Sequence, residues 1–240
     1  MAMPPDTNDT DLRSLLDPAG AGGEEAVQRV ATLAEQVYSI LSRGLLMGAW
    51  GPDVRLSVRD LAQELSVSVT PVREAMNRLV NEGALSNADG RGFWTVKLDR
   101  PAYQEIMRIR IALEPVAASL AATRITEAEL DGLEQQNESL NEAIAQDNFA
   151  AALQIDTAFH LAIYEKAGQP LLNSMISSLL LRAGPTRTRL SGSYRKTLVG
   201  FAHHTRILDA LRARDEAAVS TEIAADLRDG SNAILTELQP

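Results

Sequence analysis

The chain has 240 residues, of which 45% are hydrophobic, 4% aromatic and 23% charged, with a net charge of −9 and no cysteine. That is enough apolar material for one large domain or two small ones, and it excludes wholesale disorder, a disulfide framework, a thiolate metal site and a cysteine nucleophile. No apolar run approaches the ~18 residues of a membrane span, and the acidic N-terminus lacks the basic and apolar segments of a signal peptide. A cytoplasmic protein with no membrane partner is expected.

Residues 1–24 read as a disordered arm, with 1 basic and 5 acidic groups. Val27, Val30, Leu33, Val37, Leu41 and Leu45 recur at helical spacing and predict a helix over about 26–47, broken by Gly48, Gly51 and Pro52. Ser57-Val58-Arg59-Asp60 has the form of an N-capping box and opens a second helix. Ser66 to Val69 reads as a turn, and a third helix is predicted from Thr70-Pro71, where Thr can cap and Pro suits the first turn. Val72, Ala75, Met76 and Leu79 form its apolar stripe; Arg73, Asn77 and Asn81 lie opposite. After Gly83, the runs Ala84-Leu85-Ser86 and Phe93 to Lys97 flank a Gly-rich turn and read as a hairpin, the one strand pair expected in the chain. Asp99-Arg100-Pro101 is the expected boundary between a domain over 25–98 and another over 101–240. The second reads as six helices, near 102–123, 127–145, 148–166, 170–191, 195–213 and 216–237, with Thr126, Asp147, Pro170 and Asp215 at their starts. The fold class is therefore mainly α: a winged helix-turn-helix followed by an all-helical antiparallel bundle.

Helix, turn, helix and hairpin form a unit that fits B-DNA, because one helix enters the major groove while the preceding one braces it. Arg73 and Asn77 lie one turn apart on the outer face, Ser68 and Thr70 sit at the helix start, where phosphate is favoured, Arg59 is on the bracing helix, and Arg91 is at the hairpin tip. The net charge of residues 25–100 is zero (9 basic, 9 acidic), which neither requires nor forbids nucleic acid. The words Leu56-Ser57-Val58-Arg59-Asp60-Leu61-Ala62, Thr70-Pro71-Val72-Arg73-Glu74-Ala75, Glu82-Gly83 and Gly90-Arg91-Gly92 resemble the DNA-binding domain of GntR-family regulators. The resemblance implies DNA contacts by Arg59, Thr70, Arg73 and Arg91. Where that family commonly has arginine before Thr-Pro, this chain has Val69, so its operator sequence is expected to differ.

In the second domain, Asp156 and His160 are four residues apart among Ile155, Phe159 and Ile163, so a polar pair faces an apolar interior. Such a pair is either an internal ion pair or two ligands of a divalent metal, with His204 and Asp226 on later helices as further candidates. His203 points about 100° away from His204 on a helix and is expected to be exposed. The words Arg110-Ile111-Ala112-Leu113-Glu114-Pro115, Asp156-Thr157-Ala158-Phe159-His160 and His204-Thr205-Arg206-Ile207-Leu208 resemble the effector domain, called FCD, of the FadR subgroup. The resemblance implies a metal held by Asp156, His160 and His204, with Asp226 where many members have a third histidine. Either Asp226 ligates, giving an oxygen-rich site for an ion of the Zn, Ni or Mn class, or the site is degenerate. It also implies that Arg110 holds the carboxylate of a small organic acid, although Arg110 also stands one turn from Glu114 as a surface salt bridge would. Arg182, Arg187 and Arg189 are further candidates for that pocket. The expected function is a dimeric, non-enzymatic transcriptional regulator, by the subgroup's habit a repressor, on a pseudo-palindromic DNA operator. The rivals are a hydrolase using the Asp/His metal and an architectural DNA-binding protein with an inert bundle.

Overall fold

A computed structural model describes residues 31–87 and 92–238. The N-terminal arm, Val27, Val30 and Arg91 lie outside the described residues.

The first domain begins with α1 (Leu33–Leu46), capped reciprocally by Thr32 and Glu35. It continues through β1 (Arg55–Leu56), α2 (Val58–Glu64), α3 (Val69–Asn81), β2 (Leu85–Ser86) and β3 (Phe93–Thr95). The hairpin forms, with Leu85 opposite Thr95 and Ser86 opposite Trp94. It is not alone: β1 pairs antiparallel with the other edge of β3, giving the order β1-β3-β2. A two-residue strand has no period to read. It is fixed by Thr95, whose hydroxyl accepts the Val54 N–H at 2.8 Å and donates to the Gly51 carbonyl at 2.7 Å.

The start of α3 differs from expectation. Ser68, not Thr70, is the N-cap, and Pro71 is the third helical residue. Its missing N–H still costs nothing, because the first four N–H groups of a helix have no intrahelical partner. Ser57 caps α2 by accepting the Asp60 N–H at 3.3 Å, one half of the expected box. Val72, Ala75, Met76 and Leu79 pack with Leu41, Leu45, Leu61 and Phe93 in the core of the winged domain.

The second domain comprises α4 (Arg100–Ala122), α5 (Glu127–Ala145), α6 (Phe149–Glu165), α7 (Pro170–Arg187), the single turn α8 (Gly192–Arg195), α9 (Val199–Arg212) and α10 (Glu216–Glu237). Asp99 caps α4, accepting the Ala102 N–H at 2.9 Å. Three expected boundaries move. Asn148 rather than Asp147 caps α6, because Asp147 adopts a left-handed φ of 57°. The helix expected to reach 191 ends at Arg187, and the one expected from 195 starts at Val199, after Leu198 with φ 57°. The bundle core gathers Tyr103, Met107, Phe159, Ile163, Ile176, Ile207 and Ile223. Among the described residues no helix is long and apolar enough to cross a membrane.

The two domains meet along α7. Leu181 is buried in the winged-domain core, and the Arg182 Nε donates to the Glu82 carbonyl at the end of α3, at 2.9 Å. At Gly184 the helix touches α1 so closely that a Cβ would lie 2.2 Å from the Leu45 carbonyl oxygen. Only glycine fits there, since backbone cannot move aside as a side-chain tip can.

Candidate functional sites: the outer face of α3 and a buried Asp/His cluster

Arg59, Ser68, Thr70, Arg73 and Asn77 are all exposed, as a nucleic-acid face requires. Burying Val72, Ala75, Met76 and Leu79 turns the opposite side of α3 outward. The Ser68 side chain makes no capping bond, which leaves its hydroxyl and the first N–H groups of α3 open. The neighbouring Arg78 is committed elsewhere: it pairs with Glu82 at 3.0 Å and lies 3.6 Å over the Tyr38 ring. The outward face is therefore sorted into one arginine tied to the protein, Arg78, and one that faces solvent, Arg73.

The second site is built from α6, α9 and α10. Asp156 and His160 come from one face of α6, as their spacing predicts, and His204 from α9; ligand atoms of these three lie within 4.8 Å of one another. Asp226 of α10 stands beside this group, its Oδ2 lying 3.1 Å from His160 Nε2. The two imidazoles point Nε2 to Nε2 at 3.3 Å, and His204 Nε2 is 3.6 Å from Asp156 Oδ1. His160 and His204 are buried. His204 is held by stacking on Phe159, with ring centroids 4.0 Å apart, while its Nδ1 has no partner.

Around these groups runs a second layer. Arg187 Nη2 donates to Asp156 Oδ2 at 2.6 Å and its Nη1 to Thr157 Oγ1 at 2.8 Å. Tyr164 meets His160 Nδ1 at 3.2 Å and donates its hydroxyl proton to Glu114 Oε2 at 2.8 Å. Glu114 in turn takes a two-pronged bond from Arg110, at 2.5 and 3.1 Å. Arg110 and Glu114 are 4% and 0% exposed, so the surface salt bridge is overturned: this pair is internal. Its fork is occupied by Glu114, although Arg110 still lines a cavity of about 80 Å³ together with Asp156, His160, Arg187, Tyr194 and Asp226.

Of the other arginines considered, only Arg187 reaches this cavity; Arg182 turns to the winged domain and Arg189 is exposed. His203 is also a correction. It is buried, bonded to Glu222 at 3.2 Å and Asp229 at 3.0 Å, because α10 covers the side of α9 that sequence periodicity leaves outside. Tyr164, not among the expected site residues, follows Asp156 and His160 at the same four-residue step, a signal the sequence carries.

The protonation pattern shows what the cluster asks for. Burial pushes His204 down to about 4, with His160 as the next cause. Burial also lowers His160, but its bond to Asp226 and the charges of Asp226 and Asp156 outweigh this and raise it. Asp156 stays ionised despite burial because Arg187, His160 and His204 face it.

The two imidazoles and the Asp156 carboxylate are a sound donor set for a divalent ion. Metal–nitrogen bonds of ~2.0–2.1 Å place two ligands of one ion roughly 3–3.5 Å apart, which the observed 3.3 Å between the imidazoles matches. The hydrogen bond on His160 Nδ1 and the arginine on Asp156 are the outer contacts that orient metal ligands. Asp156, His160 and His204 would hold such an ion, which when bound supplies positive charge and coordination positions for an anionic ligand.

Comparison with known proteins identifies the family of each half of the chain. Residues 33–94 match the model for bacterial regulatory proteins of the gntR family, and residues 105–229 match the FCD domain. The HTH-type transcriptional regulator McbR of Escherichia coli (strain K12) is 37% identical over 154 residues, 64% of this chain and 70% of that protein. The HTH-type transcriptional repressor RspR of the same strain is 26% identical over 200 residues, 83% of this chain and 88% of the relative. The solved structure of E. coli McbR/YncC superposes with a TM-score of 0.81 at 31% identity, over 88% of this chain and all of that one. A transcriptional regulator from Rhodococcus sp. RHA1 shares the fold, with a TM-score of 0.71 at 20% identity over 87% of this chain and all of that one.

Proposed function

Because the chain belongs to the GntR family of DNA-binding transcriptional regulators, with an FCD domain as its second half, we propose that it is a dimeric repressor whose hold on a pseudo-palindromic operator is set by a small organic acid bound at the Asp/His cluster. In this reading α3 lies in the major groove: Arg73 and Asn77 reach base edges, while Arg59, Ser68, Thr70 and the wing Arg91 hold phosphates or neighbouring edges. Two winged domains related by two-fold symmetry read two half-sites. Asp156, His160, His204 and Asp226 hold a divalent ion of the Zn, Ni or Mn class. The effector carboxylate enters the cavity beside it, near Arg187 and Arg110.

One observation carries this reading: a single helix touches both sites. On α7, Arg187 grips the cluster through Asp156, and Arg182, five residues earlier, grips the end of α3 through the Glu82 carbonyl. An anion that competes with Asp156 for Arg187 shifts α7 and with it the winged domain. The effect on the operator is bounded by the effector's differential affinity for the two placements. The winged domain also favours a regulator over the hydrolase alternative, which gives that domain no work.

Elemental mass spectrometry of the purified protein tests the metal, and operator binding with and without candidate carboxylic acids tests the control. About one divalent ion per chain, lost in Asp226→Ala, is expected, together with operator affinity that changes on adding one of the acids. A protein that takes up no ion after reconstitution sinks the metal, and operator affinity indifferent to every anion that shifts its melting temperature sinks the switch.

A further inference from the structure

One residue on the outer face of α3 has no part in the reading above. Val69 is the first residue of the helix and is 45% exposed. Scattered exposed apolar side chains are ordinary on protein surfaces. The register of this one is not: Val69, Arg73 and Asn77 follow at four-residue steps, on the side turned away from Val72, Ala75, Met76 and Leu79. The stripe therefore runs hydrocarbon, guanidinium, carboxamide from the helix N-terminus inward.

Each of these groups has its own counterpart on the floor of the major groove. A guanidinium matches guanine O6 and N7, and a carboxamide matches adenine N6 and N7. A valine can neither donate nor accept, so it gains nothing from those edges or from phosphate. The apolar group the major groove offers is the thymine 5-methyl. Valine is short, but it stands at the end of the helix that reaches deepest, since N-terminal residues of a recognition helix contact base edges. Four residues of helix rise about 6 Å and a base step about 3.4 Å, so Val69 and Arg73 address positions one or two base pairs apart.

We propose that Val69 is a specificity-determining residue that packs on the 5-methyl group of a thymine in each operator half-site, one or two base pairs from the base read by Arg73. This rests on the reading that α3 enters the major groove.

The test uses the full-length protein, duplex selection from random sequence, and titrations against the selected duplex. Deoxyuridine in place of thymidine removes only the 5-methyl. One thymine per half-site is expected at which this replacement weakens binding about fourfold, and about fifteenfold when both half-sites carry it, the value of one buried methyl counted once or twice. Val69→Ala is expected to bind the thymine and uracil duplexes equally, and Val69→Arg to select guanine at that position. Sequence-specific binding that ignores deoxyuridine at every position overturns the proposal and leaves the groove reading standing. So does a Val69→Ala variant that keeps the thymine preference. A wild-type protein that enriches no sequence and loses nothing on Arg73→Ala overturns the groove reading itself, and this proposal with it.

Discussion

The two polar sites of this regulator follow opposite plans. On α3, Arg73 and Asn77 stand in solvent, detached from the fold, on a helix whose stability comes from its other face. In the bundle the polar groups stand inside and hold one another: Arg110 to Glu114, Glu114 to Tyr164, Tyr164 to His160, His160 to Asp226, and Arg187 to Asp156. The first site can be emptied without disturbing its scaffold; the second is part of its scaffold. Binding a large polyanion calls for accessible charge, whereas discriminating a small ligand calls for desolvated, pre-oriented charge.

That contrast can be broken by substitutions. The largest effect is expected at Glu114→Ala, which strands the buried Arg110 guanidinium; a loss of about 3–5 kcal/mol of folding stability should appear in denaturant unfolding. An unchanged midpoint would mean that the pair is not internal. Next comes Arg73→Ala, expected to weaken operator binding by about 1–3 kcal/mol per half-site while leaving the melting temperature unchanged. A variant that melts early would show that Arg73 serves the fold and would erase the contrast. Smaller again is Tyr164→Phe, which removes the hydroxyl from His160 Nδ1; metal affinity should fall about tenfold, read by chelator competition. The smallest effect belongs to the surface. The Thr126 backbone N–H and Lys166 hold Glu129, whose side-chain bond to Lys166 is the leading cause of a pKa lowered from 4.5 to about 2. A carboxylate depressed on folding stabilises above its unfolded pKa and loses that contribution as pH falls from about 4.5 towards 2. Glu129→Gln should therefore melt slightly below wild type at pH 7, with the gap closing near pH 2.

Sequence legibility divides along the same line. The face of α3 is readable because helical period and a buried stripe fix which side chains point out, and Ser68, Thr70, Arg73 and Asn77 are all exposed. Asp156 with His160 was readable for the same reason, since four residues make one turn. What could not be read was anything set by which helix covers which. Period alone puts His203 at the surface, because it does not reveal that α10 lies over it, and Arg110 with Glu114 has the spacing of an ordinary surface pair but sits against Tyr164 inside the bundle. The third strand, β1, is too short to carry a pattern, and it exists because Thr95 ties residues 51 and 54 to β3. Helix boundaries shifted where the chain takes a left-handed step, at Asp147 and Leu198, neither a glycine that would have advertised it.

The contact at Gly184 bears on how regulators of this kind can be rebuilt. Its missing side chain lets the carbonyl of Leu45 lie against α7, so the two halves share a seam at backbone distance. A hybrid sensor that grafts this winged domain onto a foreign effector bundle must carry glycine at the matching place, together with an arginine to meet the Glu82 carbonyl. A bundle with alanine there would hold the reading head off its seat, and such a graft would bind its inducer without passing the message on.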